Sequence, residues 1–117
     1  MKRRVAVTGM GAISPIGNTI NEIWANIKDG KCGIGEISLY DTSDQKVKIA
    51  AEAKVDFADY IDKKKLRTLD RSNQFALAAS KVAIEDSGLD LEKEDRSNIA
   101  VYISSGIGGL GYMEKEI

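Results

Sequence analysis

The chain has 117 residues, enough for one small domain and short for a two-domain enzyme, and its 43% hydrophobic and 30% charged residues exclude disorder. Seventeen Lys and Arg against eighteen Asp and Glu leave a formal charge of −1, so no global basic field points to nucleic acid or an anionic membrane. A single cysteine excludes an internal disulfide framework and a multi-cysteine metal site, and the absence of histidine removes both the usual general base near neutral pH and the commonest transition-metal ligand, so neither metal nor cofactor is expected.

The first seventeen residues, MKRRVAVTGMGAISPIG, imitate a secretory signal, but Thr8, three glycines and Ser14-Pro15 break the apolar run. A strand and a turn fit better, no run elsewhere is long enough to span a bilayer, and a cytoplasmic protein is expected. Arg4 to Thr8 is β-branched and bounded by glycine, the pattern of a first strand. Thr19 with Glu22 three residues on forms a capping box that opens a helix. Ile20, Ile23, Trp24 and Ile27 fall on one apolar stripe of it, which predicts Trp24 as a core residue, and Gly30 supplies a left-handed stop.

Cys32 lies in a KCGIG loop with only Lys31 at hand to favour thiolate, so a structural role is expected of it. Val47 to Val55 alternates weakly, as an edge or partly exposed strand does. Between Ile61 and Arg71, five cations stand against two carboxylates, a local charge of +3. This is either a solvated helix face or a docking patch for an acidic partner. From Asp70 or Arg71 to Ser87 the pattern is that of the strongest helix in the chain. Four alanines, at 76, 78, 79 and 83, predict close approach by a neighbour, and Gly88 ends the helix.

Asn98 to Gly111, NIAVYISSGIGGLG, reads as a strand buried on both faces, Ile99 to Ile103, running into a glycine loop and then a new helix. Gly106, Gly108 and Gly111 satisfy G-x-G-x-x-G, the fingerprint of a small dinucleotide-binding domain. Confirmation would need a second strand and an acidic residue about 20 positions on, whereas six residues follow Gly111. The loop at Gly9 and Gly11 has Ser14 where the third glycine belongs.

Four stretches carry a resemblance: RRVAVTGMGAISPIGN at 3–18, GKCGIG at 30–35, LRTLDRSNQFALAASKVAIEDSGL at 66–89 and SSGIGGLG at 104–111. In order and spacing the chain resembles the N-terminal part of the β-ketoacyl-acyl-carrier-protein synthases, in particular the synthase II branch. The resemblance implies a thiolase-like layered α/β/α architecture, residues 1–117 being a partial N-terminal domain within its first half. It also implies decarboxylative Claisen condensation that lengthens a fatty-acyl chain on an acyl carrier protein, in a homodimeric acyltransferase.

The family's cysteine nucleophile stands at a strand-to-helix elbow, where the helix dipole favours thiolate, and two histidines assist it. Here histidine is absent and Cys32 stands in another motif, where relatives often have serine. No catalytic residue is therefore assigned, and the 117-residue chain alone is expected to be inactive. By position, Ile107 corresponds to the residue facing the far end of the acyl pocket near the dimer interface. Isoleucine there resembles the synthase II branch, and synthase I relatives tend to have glycine. Lys64 and Arg67 correspond to basic residues that meet the carrier protein, while Thr68 stands where a basic residue is usual. A non-catalytic subunit that completes its fold with a partner chain is the alternative from another class.

Overall fold

The computed structural model describes residues 2–117, with Glu116 by its backbone alone. They form two compact units: Ala12–Val55, and the segment up to Gly11 together with Asp56–Ile117.

In the Ala12–Val55 unit, Ser14 and Gly17 exchange backbone hydrogen bonds of 2.8 and 3.2 Å around Pro15, a tight turn for which proline presets the backbone. Helix α1, Ile20–Lys28, follows. Its capping box forms: Thr19 Oγ1 accepts from the Glu22 N–H at 3.2 Å, and Glu22 Oε2 accepts from the Asn18 N–H at 2.9 Å, one residue further out than the usual reciprocal bond. Gly30, at φ +66°, closes the helix. The Lys31 N–H reaches the Asn26 carbonyl and the Gly30 N–H reaches that of Ile27, a Schellman pair that satisfies two orphan acceptors.

Trp24 is not a core residue. It is 59% exposed and Ile27 53%, and no residue of α1 is buried. The apolar stripe exists, but no layer within this unit covers it, and the Lys28 ammonium lies over the Trp24 ring, 6.0 Å from its centre.

The weakly alternating stretch at 47–55 contributes β2, Ile49–Ala50, paired antiparallel with β1, Gly35–Glu36. β1 was not foreseen. Glu52 fastens the chain beyond it, accepting from the Ser38 hydroxyl at 2.7 Å and from the Ser38 and Leu39 N–H groups at 3.1 and 3.2 Å. These donors, the Ser38 hydroxyl foremost, hold the Glu52 carboxyl below its ordinary range.

The other unit is built on α3, Arg71–Ser87, which matches the sequence expectation at both ends. Asp70 caps it by accepting from the Ser72 and Asn73 N–H groups, and Gly88 ends it at φ +66°. Ahead of it stand a 3-10 turn, Phe57–Asp59, and the single-turn α2, Lys63–Leu66, capped by Asp62. Phe57, Ile61 and Ala78 are buried. Phe57 meets Phe75 edge-on at 5.0 Å and 89°, the quadrupole-favoured geometry, and the Arg71 guanidinium lies 5.6 and 5.1 Å from the two ring centres.

The close neighbour that the alanines of α3 predict is a loop backbone. A Cβ on Gly9 would lie 2.3 Å from the Ala83 carbonyl oxygen, and one on Gly11 2.1 Å from that of Ala79. Asp86 holds the loop by accepting from the Met10 N–H at 2.9 Å.

Neither expected strand of this unit forms. Arg4–Thr8 and Ile99–Ile103 carry no ladder, and Val5, Val7, Val101 and Tyr102 are 94%, 82%, 77% and 92% exposed. A strand needs partners for its N–H and C=O groups and cover for its faces; among the described residues neither segment has a neighbouring strand. After the 3-10 turn Arg96–Asn98 and this extended passage, α4, Leu110–Glu116, begins at Gly109.

Candidate functional site

Lys64, Arg67 and Ile107, the residues assigned roles by the resemblance, all belong to the unit built on α3. Lys64 lies in the middle of α2 and Arg67 at its C-cap, and both are exposed. The two carboxylates of the +3 stretch are spent on caps: Asp62 Oδ1 accepts from the Lys64 N–H at 2.8 Å, while Asp70 serves α3. The side-chain ion pairs Lys81–Glu85, Lys93–Asp90 and Arg96–Glu92 involve none of Lys63, Lys64, Lys65 and Arg67. Lys63, Lys64, Lys65 and Arg67 therefore present their charge outward.

α2 is held to α3 by Gln74, whose amide nitrogen donates to the Leu66 carbonyl at 3.2 Å and the Leu69 carbonyl at 2.9 Å. One polar side chain thus closes the last turn of α2 and fixes the connection that carries Arg67. The sequence reading missed Gln74. A glutamine in the first turns of a helix that follows a four-residue connection is a local signal that could have found it.

Ile107 is 76% exposed, on the loop between the extended segment and α4. That loop lies against the first turn of α3. A Cβ on Gly108 would come within 2.7 Å of Ser72 Oγ, and one on Gly109, at φ +79°, within 3.5 Å of Asp70 Oδ2. Beside this contact an open groove of ≈ 490 Å³ runs between Ser72, Asn73, Phe75 and Ala76 on the helix and Ile103, Ser104 and Ser105 on the loop. The glycine loop that carries Ile107 and the connection that carries Arg67 thus both rest on the first turns of α3.

The dinucleotide alternative loses its context: no strand precedes Gly106, Gly111 lies inside α4, and the tight position of the loop is Gly108, against Ser72. Cys32 is exposed, in the other unit, on the rim of a cleft with Lys31, Glu36 and Lys54. No cluster suited to hold a metal ion occurs among the described residues, and no helix there is long and apolar enough to cross a membrane.

Comparison with known proteins accounts for the order of these elements. The family model for the beta-ketoacyl synthase N-terminal domain matches residues 2–117, and the chain belongs to that family. The structure aligns with the ishigamide ketosynthase/chain length factor at a TM-score of 0.73 and 32% identity, over 79% of this chain and 23% of that one. The fold is accordingly the α/β, thiolase-like fold of the ketosynthases, although among the described residues two short strands alone pair into a sheet.

Among individual relatives, the chain is 41% identical over 116 residues to 3-oxoacyl-[acyl-carrier-protein] synthase 2 of Synechocystis sp., covering 98% of this chain and 28% of that protein. The proteins of the same name from Staphylococcus aureus strain COL and Vibrio cholerae are 42% and 43% identical, over 96% and 97% of this chain. The chain spans a little over a quarter of the length of these relatives, 27–28%.

Proposed function

We propose that the chain is the N-terminal part of a 3-oxoacyl-acyl-carrier-protein synthase of the synthase II type. It supplies carrier docking and one wall of the acyl site for decarboxylative condensation of acyl and malonyl groups. The observation that carries this reading is the family match over residues 2–117, supported by the three relatives described above, each a 3-oxoacyl-[acyl-carrier-protein] synthase 2.

Within that reading, Lys64 and Arg67 meet the acidic carrier protein and Ile107 faces the acyl chain near the contact between two copies. The exposed cations of α2, left unneutralised by Asp62 and Asp70, support the first assignment. A rim patch of this kind acts mainly on association rate and salt dependence.

The chain by itself performs no condensation, because it lacks histidine altogether and its one thiol, Cys32, stands in an exposed loop rather than at a helix start. Titration of the purified chain with acyl carrier protein tests the docking role. Binding weakens as salt rises past about 0.15 M, where screening shortens to about 8 Å, and Lys64→Glu lowers affinity by roughly tenfold, about 1.4 kcal/mol. Binding unaffected by salt and by Lys64→Glu would reduce the patch to a solvated face. Condensation activity from the purified 117-residue chain would overturn its assignment as a partial, inactive piece.

A further inference from the structure

The contact between the glycine loop and the start of α3 joins two features that the sequence reading kept apart. Ser72 is half-buried in the first turn of α3, where its N–H donates to Asp70 Oδ1 at 2.6 Å. Asp70 is itself fixed by the Ser72 and Asn73 N–H groups and by the Asn73 side-chain amide at 2.9 Å. A Cβ on Gly108 would meet the Ser72 hydroxyl oxygen at 2.7 Å and that of Ser105 at 2.9 Å, so the loop backbone is packed directly on the capped start of α3.

Gly109, next in the chain, takes a left-handed conformation over the same carboxylate. Two consecutive glycines thus let the backbone settle on a rigid polar seat, and the residue immediately before them is Ile107. Behind the seat the groove stays open because Ser72 and Ala76 are small.

We propose that Ser72, at the capped start of α3, is a positioning residue that seats the Gly106–Gly109 loop, fixes where Ile107 stands, and so sets acyl-length preference. The effect on acyl length rests on the reading of Ile107 given above; the seat itself does not. A bulkier side chain at 72 fills the groove and lifts the loop, while deletion of the hydroxyl frees it.

Two measurements test this. In the 117-residue chain, 15N relaxation gives the order parameters of Gly106, Gly108 and Gly109 in the parent, in Ser72→Ala and in Ser72→Phe. The parent is expected near the rigid value of about 0.85 and both variants near or below about 0.6, with the amides of Ala76–Asp86 unchanged as the control for folding. Loop order parameters equal to the parent's in Ser72→Ala and Ser72→Phe would overturn the seat.

In the complete synthase, kcat/KM is compared for acyl carrier protein loaded with C8 and with C16 chains. Ser72→Phe and Ile107→Gly are both expected to move the ratio toward one by about tenfold, whereas Lys64→Glu raises KM for both chains alike. If Ile107→Gly shifts the ratio and Ser72→Phe does not, the proposal is wrong although the acyl reading stands. If neither variant shifts it while the order parameters fall, the acyl reading of Ile107 fails, and with it the assigned effect on chain length, but the seat remains.

Discussion

Gly11 illustrates how a single missing Cβ can hold an element in place. The atoms that an alanine there would meet, the Ala79 oxygen at 2.1 Å and the Ala83 nitrogen at 2.6 Å, belong to helix backbone and cannot swing aside. Gly11→Ala must therefore push the loop off α3 and strain the bond from the Met10 N–H to Asp86. Overpacking of this kind costs about 1–3 kcal/mol, so the urea midpoint should fall without a change in slope. The same substitution at Gly35, where a Cβ meets nothing within 4 Å, should leave it almost unmoved.

Carboxylates set the pH response at the same scale. Hydrogen bonding, led by the Ser72 hydroxyl for Asp70 and the Ser38 hydroxyl for Glu52, places both groups below their ordinary values of 3.8 and 4.5. Carboxylates with depressed folded values contribute stability that is fully present above the unfolded values and is lost as pH falls through the folded ones. Helicity followed by circular dichroism should hold steady down to about pH 5 and decline below about pH 4. Asp70→Asn should lower the helicity of α3 at neutral pH and remove part of the acid-dependent decline.

At the scale of elements, helix ends were legible in the sequence, whereas of the three expected strands only Val47–Val55 contributes one, β2. Thr19, Gly30 and Gly88 act on donors and acceptors within a few residues of themselves and perform the expected task, and Asp70 caps α3 in the same local way. Gly88 separates conformational cost from packing cost, because a Cβ there meets nothing within 4 Å while φ is +66°. Gly88→Ala should lower stability by about 1–2 kcal/mol, the penalty for a left-handed L-residue, read as a drop in the thermal midpoint.

Strand formation depends on partners remote in sequence. RVAVT and NIAVYI have the composition of buried strands, yet within the chain they lack neighbours to pair with. Trp24 was misplaced for the same reason: periodicity shows which face of a helix is apolar and cannot show what covers it. At the candidate site, Lys64, Arg67 and Ile107 were reachable through resemblance to a family. Gln74 had a local signal in its place just after a short connection, whereas Ser72 acts through a contact with Gly108 that no local pattern announces.

In the whole chain the unit built on α3 leaves much apolar surface open: Val5, Val7, Val101 and Tyr102 stand almost fully in water, and Ile103 and Ile107 are 58% and 76% exposed. Apolar segments with unpaired backbone are templates for strand addition by another copy. Sedimentation velocity of the isolated chain should therefore show concentration-dependent association rather than one monomeric boundary. The thermal midpoint should rise with protein concentration, because association stabilises the folded form by mass action. Placing a charge in the most exposed extended segment, Val101→Lys, should suppress association, since a lysine there would have to be desolvated for a second copy to pair. Lys64→Glu, on the cationic patch, should leave association unchanged. A sharp unfolding transition independent of concentration, with a single monomeric boundary, would mean that these faces are tolerated in water without cover.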